Sequence, residues 1–179
     1  MSTDEIASKR IDIAIIEFNN TVKVVQDFLP ISQVESVILE AKGCTIMGEA
    51  INIALDKLKE RMSLYFSMGT PCYIPWIVMI TDGCSTDDIS EAAMRLKTQE
   101  SKGSHGKLKF LSVGISGFDL DTLTELSNKP RILELSNYDY VSLFEWLGNS
   151  ILGVQCYPTI QYELPSNVRA IRENEIPDE

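Results

Sequence analysis

Short apolar segments alternate with segments of helical periodicity along most of the chain, and this alternation leaves few possible folds. Residues 76–81, 109–113 and 131–135 have the length and the apolar content of buried strands. Residues 89–100, 120–127 and 140–152 have the spacing of amphipathic helices. Strands separated by helices pair in parallel, and continuous apolar strands need cover on both faces. The sequence therefore predicts an α/β fold, a doubly wound, mostly parallel sheet with helices on both faces.

A hairpin and a long helix are predicted ahead of this alternation. Residues 11–18 and 22–28 flank a turn-like Asn-Asn pair, which predicts one antiparallel hairpin at the edge of the sheet. Residues 47–66 then carry apolar side chains on one helical stripe. The members of that stripe are Met47, Ala50, Ile51, Ala54, Leu55, Leu58, Met62 and Phe66.

The length and composition predict one globular domain without a membrane span. A chain of 179 residues is long enough to bury a sizeable core, and we place the domain at residues 1–163, followed by a polar, frayed tail at 164–179. No apolar run approaches the roughly 20 residues that cross a bilayer. The net charge of −10 would repel a phosphate backbone, so nucleic acid is not expected as a partner.

The cysteines and the first residues predict a cytoplasmic location. The four cysteines form no C-x-x-C pair, which argues against a zinc cluster or a disulfide framework. The first residues, "MSTDEIASKR", lack the basic and then apolar layout of a secretory signal.

Asp82 is the first candidate for binding chemistry. It follows the apolar run "WIVMIT" directly and precedes Gly83, so its carboxylate is expected where a buried strand meets solvent. Ligands of open α/β sheets gather outside the carboxyl ends of the strands. Such a carboxylate suits a hard cation such as Mg²⁺, or it caps the following loop or helix.

Thr45 is the second candidate, in the stretch "GCTIMGEA". It directly precedes the long helix, so its hydroxyl either caps the helix or serves as an oxygen ligand. Gly48, in the first helical turn, would let a neighbouring backbone or a ligand approach closely.

Four segments, taken in order, resemble the von Willebrand factor type A domain: "RIDIAIIEF", "GCTIMGEAINIALDKLKER", "YFSMGTPCYIPWIVMITDG" and "FLSVGI". More narrowly, they are similar to the stand-alone bacterial branch associated with tellurium-resistance operons. The resemblance runs from about residue 9 to about residue 153, and residues 43–83 are its most specific part.

The resemblance implies a metal-ion-dependent adhesion site at the strand ends. Three loops supply the ligands in that family: an Asp-x-Ser-x-Ser motif after the first strand, a threonine before a helix, and an aspartate that ends the fourth strand. The last two match Thr45 and Asp82. The implied metal is Mg²⁺, whose coordination an acidic side chain of a partner protein completes, so the site binds rather than catalyses. The neighbouring residues are expected to contact the partner: Cys44, Met47, Gly83, Ser85, Thr86 and Asp87.

One part of the family pattern is missing. No Asp-x-Ser-x-Ser occurs in the chain, and "RIDIAIIEF" resembles the second strand of the family, so we expect the first central strand to be absent. A late start of the sequence, a strand supplied by another chain, or a rearranged metal-free sheet would each explain this. The second explanation predicts a homo-oligomer formed through the incomplete sheet. With one hydroxyl and one carboxylate, Mg²⁺ binding is expected to be weak.

Other functions compete with partner binding. Mg²⁺ at Asp82 is compatible with phosphoryl transfer, but the chain has no phosphate-binding loop and no nucleophile paired with a base. A metal-free oligomeric scaffold is a further alternative. Cys44 and Cys84 are either a redox or soft-metal pair or small residues of tight loops. His105 is the single histidine and lies in a glycine- and serine-rich turn. The aromatic residues of 65–76 either bind a partner or anchor the loop.

Overall fold

A computed structural model describes residues 11–40, 42–102, 107–115, 117–156, 163–172 and 175. It confirms the α/β class, with strands and helices in the predicted order. The strands are β1 (Asp12–Phe18), β2 (Val22–Pro30), β3 (Trp76–Thr81), β4 (Lys109–Ile115), β5 (Ile132–Leu135) and β6 (Val168–Ala170). The helices are α1 (Met47–Ser67), α2 (Ser90–Glu100), α3 (Leu120–Glu125) and α4 (Tyr140–Cys156), and a short 3₁₀ helix spans Ile31–Gln33.

The chain divides into two compact units. The first comprises Met1–Pro71 with Ser85–Ile89, and the second comprises Cys72–Cys84 with Ser90–Glu179. In the first unit β1 and β2 pair antiparallel as predicted, with a register irregularity near Ile15. They form a two-stranded sheet of their own, separate from the sheet that holds β3 to β6.

A polar cluster ties helix α1 to the hairpin in the first unit. Arg61 and Tyr65 of α1 both bond the carboxylate of Asp12 on β1. The Arg61 guanidinium also lies 4.9 Å from the centre of the Tyr65 ring and 5.9 Å from that of Phe28, within the range of cation–π attraction. Burial tends to raise the pKa of Asp12, but the bonds from Tyr65 and Arg61 outweigh it and lower that pKa overall. The cluster therefore holds Asp12 ionised.

The second unit is built on a mostly parallel sheet in the order β3-β4-β5-β6. The β3–β4 and β4–β5 pairs are parallel, and β6 runs antiparallel to β5. Because parallel strands share a direction, β3, β4 and β5 all end at the same edge of this sheet. Asp82 follows β3 at that edge.

The core of the second unit covers both faces of β4. Leu111 and Val113 pack with leucines of β5 and with Leu143 and Leu147 of α4. Phe110 alternates to the opposite face and is also buried. A strand buried on both faces is what the continuous apolar pattern predicted. Among the described residues, no helix is both long and apolar enough to span a membrane.

The segment predicted to be a frayed tail contains a strand. All three residues of β6 pair with β5, and the Val168 side chain is buried against the core. Arg169, on the exposed face, forms ion pairs with Glu134 at 2.6 Å and with Glu175 at 2.7 Å. The prediction of a frayed end was wrong for this segment, because Val168 completes a core that β5 alone leaves open.

Candidate functional site

Asp82 lies where the sequence placed it, directly after β3. The buried Thr81 closes the turn through its hydroxyl, which lies 3.4 Å from the amide nitrogen of Gly83. The Asp82 side chain is exposed and accepts no hydrogen bond within the described residues of the second unit. The pKa of Tyr140 is raised mainly by burial, next by Tyr138, and third by the negative charge of Asp82. The carboxylate therefore does not cap the loop and is open to a ligand.

Thr45 lies in the first unit, where backbone bonds hold the segment before α1. Its amide donates to the Thr86 hydroxyl at 3.2 Å, and the Thr86 amide donates back to the Thr45 carbonyl at 2.9 Å. The Thr45 hydroxyl makes no hydrogen bond within the described residues of this unit. The cap position of the helix is Ile46, which supplies no side-chain bond. Thr45 is therefore not the cap, and its oxygen is available to a ligand.

Asp87 performs the capping that the sequence suggested for Thr45. Its Oδ1 accepts from the Gly48 amide at 3.0 Å, and its Oδ2 accepts from the Glu49 amide at 2.9 Å. The Ser85 hydroxyl donates to the same Oδ1 at 2.7 Å. Burial tends to raise the pKa of Asp87, but the bonds from Ser85 and from the helix amides outweigh it and lower that pKa overall. The ionised Asp87 therefore stabilises the fold at pH values above the pKa that its carboxyl has in the unfolded chain. This stabilisation is lost as the pH falls through the lower pKa of the folded state.

Gly48 allows this close approach, as predicted. A methyl group at Gly48 would overlap the carbonyl oxygen of Asp88 and would lie 3.0 Å from Asp87 Oδ2. Met47, by contrast, is fully buried. The expectation that Met47 contacts a partner was wrong, because its side chain lies in the core-facing stripe of α1.

The remaining residues expected at the partner surface differ in exposure. Cys44 and Thr86 are exposed, whereas Gly83, Ser85 and Asp87 are half-buried. The Ser85 hydroxyl donates to the Asp87 carboxylate, and that carboxylate also accepts from an amide of α1, so these polar atoms already have partners. Cys44 and Thr86 are therefore the members of this set with exposed side chains.

The asparagines of the hairpin turn hold the segment before α1, a role that the sequence pattern does not predict. Asn20 Oδ1 accepts from the Cys44 amide at 2.6 Å, and the Asn19 carbonyl accepts from the Ile46 amide at 3.2 Å. The Asn19 side chain bonds the Thr21 amide. The Asn-Asn pair predicts only a turn, because a lone polar pair between strands carries no signal for a contact some two dozen residues away.

Asp82 in the second unit and Thr45 in the first are each a candidate Mg²⁺ ligand within their own unit. Each carries an oxygen free of bonds within its own unit, and carboxylate and hydroxyl oxygens are ligands that Mg²⁺ accepts. Within the described residues, no group of three or more histidine, cysteine, aspartate or glutamate side chains could hold a metal ion. The Asp87 carboxylate is already occupied by α1 and Ser85. Within its own unit, each of the two residues therefore offers a single oxygen, and Mg²⁺ bound there would need water for its other positions.

Comparison with known families decides the class of this protein. A model of the von Willebrand factor type A domain matches residues 1–146, which is most of the chain. The chain belongs to this family. Domains of this family are generally protein-interaction modules. No curated protein matches the chain. The match spans both Thr45 and Asp82, and the mostly parallel sheet of this type A domain agrees with it.

Cys44 and Cys84 are both exposed free thiols, one in each unit. The pKa of Cys84 is raised, mainly by the negative charge of Asp119 and to a lesser extent by burial. A raised pKa lowers the thiolate fraction at neutral pH and so the reactivity of the thiol. This counts against a redox role for Cys84. His105 lies outside the described residues.

Removing the Asp119 charge is expected to activate Cys84. We expect Asp119→Asn to speed alkylation of Cys84 by iodoacetamide several-fold at neutral pH, because the thiolate loses its repelling neighbour. Asparagine keeps the capping ability of residue 119 at α3. Mass spectrometry of the peptides measures the rate, and the exposed Cys72 serves as internal control. An unchanged Cys84 rate would show that Asp119 does not govern this thiol.

The aromatic residues of 65–76 divide between the two alternatives. Tyr65 bonds Asp12 inside the first unit, and Trp76 packs on the core of the second unit with the Lys109 ammonium 4.8 Å from its ring centre. These two anchor the chain. Phe66 and Tyr73 are 88% and 55% exposed and are free to contact another molecule.

Proposed function

We propose that this type A domain is a non-enzymatic protein-binding module whose decisive residue is Asp82. The observation that supports this most directly is the exposed carboxylate of Asp82, free of bonds within its unit at the end of β3. Strand β3 ends on the buried Thr81, and the charge of Asp82 directly after it lies at the edge where α/β sheets bind ligands. The exposed side chains of Cys44 and Thr86 belong to the same proposal as partner contacts.

Mg²⁺ is the finer part of this proposal, and it follows from the family resemblance. Asp82 would supply a carboxylate oxygen to the ion, and Thr45 would supply its hydroxyl oxygen. Water would fill most other positions, and an acidic side chain of the partner would take one of them. The bound cation would outweigh the negative charge of Asp82, so that this surface would attract a negatively charged group of the partner. Without the ion, Asp82 would favour a basic group instead.

Calorimetric titration of Mg²⁺ and Mn²⁺ into the full chain tests the metal. We expect saturable binding that is weak, with a dissociation constant on the order of 1 mM, because the protein supplies few ligands. Asp82→Asn keeps the shape and removes the charge, so it should abolish this binding. Asp121→Asn is the matched control, since Asp121 is also exposed but lies in the first turn of α3.

Either of two results would contradict the proposal. Equal loss of binding in Asp121→Asn would mean that the ion senses only the overall negative charge. Release of phosphate from a nucleotide or a phosphoprotein, lost in Asp82→Asn, would show an enzyme rather than a binding module.

Self-association is a further part of the partner proposal. Among the described strands β3 pairs with β4 alone, so one edge of β3 has no strand beside it there. An unpaired edge can accept a strand from a second copy of the chain. Light scattering should then give a mass above 20.1 kDa, and a folded monomer at all concentrations would contradict it. The links to tellurium resistance and to the cytoplasm stay predictions.

A further inference from the structure

Two separate segments of the first unit meet at the start of helix α1. Residues 43–48 lead into the helix, and residues 85–88 arrive from a distant part of the sequence. The mutual bonds of Thr45 and Thr86 join the two backbones, and Asp87 spans from one segment to the helix amides. Asp87 reaches partners 38 and 39 positions away along the chain. The junction is therefore made by tertiary contacts.

The bonding of Asp87 is nearly complete. One carboxylate oxygen receives the Gly48 amide and the Ser85 hydroxyl, and the other receives the Glu49 amide. Ser85 also bonds the Asp87 carbonyl at 3.1 Å, which fixes the local turn. These donors all favour the ionised carboxylate.

The place that Asp87 occupies is unfavourable for a cation. Helix α1 has 21 residues, and its aligned peptide dipoles put a partial positive charge at its first turn. Free amide groups there attract an anion. A carboxylate from the protein satisfies both the dipole and the amides.

We propose that Asp87 orders the junction between residues 43–48 and 85–88, so that this chain assembles its binding surface without a divalent ion. The family resemblance implies a metal whose ligands come from three loops, whereas here an internal carboxylate joins two segments directly. The inference rests on the proposed function, since it concerns the residues that would contact the partner. It assigns Asp87 as a positioning residue and leaves Asp82 and Thr45 as the groups that meet a ligand.

Thermal unfolding of the full chain in EDTA and in excess MgCl₂ tests this proposal. We expect the wild-type protein to be folded in EDTA. Asp87→Asn should lower its melting temperature by about 3–10 °C in both conditions, because the charged cap of a long helix is lost. Asp82→Asn is the matched control and should change the melting temperature little. Ser85→Ala should act in the same direction as Asp87→Asn but less, and it serves if Asp87→Asn does not fold.

Hydrogen exchange distinguishes a local effect at the start of α1 from a general loss of stability. The amides of Gly48 and Glu49 should exchange faster in Asp87→Asn, while those in the middle of β4 keep their protection. Unfolding of the wild type by EDTA, or rescue of Asp87→Asn by Mg²⁺, would overturn the proposal. A different result would contradict the proposed function alone. In that case Asp82→Asn would keep metal or partner binding, while Asp87→Asn would still lower the melting temperature and speed exchange at Gly48 and Glu49.

Discussion

Gly48→Ala is expected to destabilise the protein by about 2–4 kcal/mol, although alanine is the better helix former by about 1 kcal/mol. The added methyl group would overlap the Asp88 carbonyl, which is backbone and cannot rotate away. The segment that carries Asp87 would have to move, so the cap on Gly48 and Glu49 would weaken as well. Overpacking and the lost cap together outweigh the gain in propensity.

Gly148→Ala is the matched control for this prediction. Gly148 is also a helical glycine, in α4, but a methyl group there would meet no atom within 4 Å. Alanine should therefore stabilise the protein by about 0.5–1 kcal/mol. Urea unfolding, followed by circular dichroism, measures both changes. Stabilisation by Gly48→Ala would mean that the segment 85–88 does not lie against α1.

The second large effect is expected at β6, in the segment first predicted to be frayed. Val168→Asp should destabilise the protein by about 3–5 kcal/mol, because it places an unpaired charge against the core leucines of β4, β5 and α4. Removing residues 164–179 should have an effect of similar size. That truncation takes away both Val168 and the half-buried Leu164, and it strips the edge of β5 of its partner.

Arg169→Ala separates burial from surface charge in this strand. Arg169 lies next to Val168 but faces solvent, and its ion pairs with Glu134 and Glu175 are exposed. Pairs of that kind contribute about 1 kcal/mol or less each. Guanidinium unfolding of the three variants gives the comparison. If the truncated chain were as stable as the whole one, β6 would not belong to the folded core.

Three aspartates have different roles in this chain. Asp82 is open to a ligand, Asp87 closes the start of α1, and Asp119 caps α3 and raises the pKa of Cys84. The mutations proposed above remove each charge without changing the side-chain shape. Their effects on metal binding, melting temperature and thiol reactivity should therefore separate the three parts.

Most element positions could be predicted from the sequence. Strand β3 has the predicted bounds, and α1 extends one residue beyond its predicted end. Strand β4 continues to Ile115, past the predicted end at residue 113, because its pairing with β5 carries it through Gly114. Helix α3 ends earlier than predicted, at Glu125; the Ser127 hydroxyl just beyond it bonds Glu100 at 2.7 Å.

The candidate site was predicted in part. The sequence placed Asp82 at a strand end and Thr45 before a helix, because both follow from local apolar patterns. It could not assign the cap of α1 to Asp87. Asp82 and Asp87 are the same residue type, five positions apart, and no local pattern distinguishes an open carboxylate from one bonded to a helix 39 positions away.

By itself the sequence determined the α/β class, the order of the elements up to α4 and the family of this protein. Those properties depend on the periodicity of apolar residues and on short ordered motifs, which are local. The tertiary structure alone decided that the hairpin forms its own sheet, that Val168 completes the core, and that Asp87 rather than Thr45 caps α1. Each of these depends on which hydrogen-bonding groups and apolar surfaces meet in the folded chain. A buried polar group needs a hydrogen-bond partner, and the fold decides which partners lie within reach.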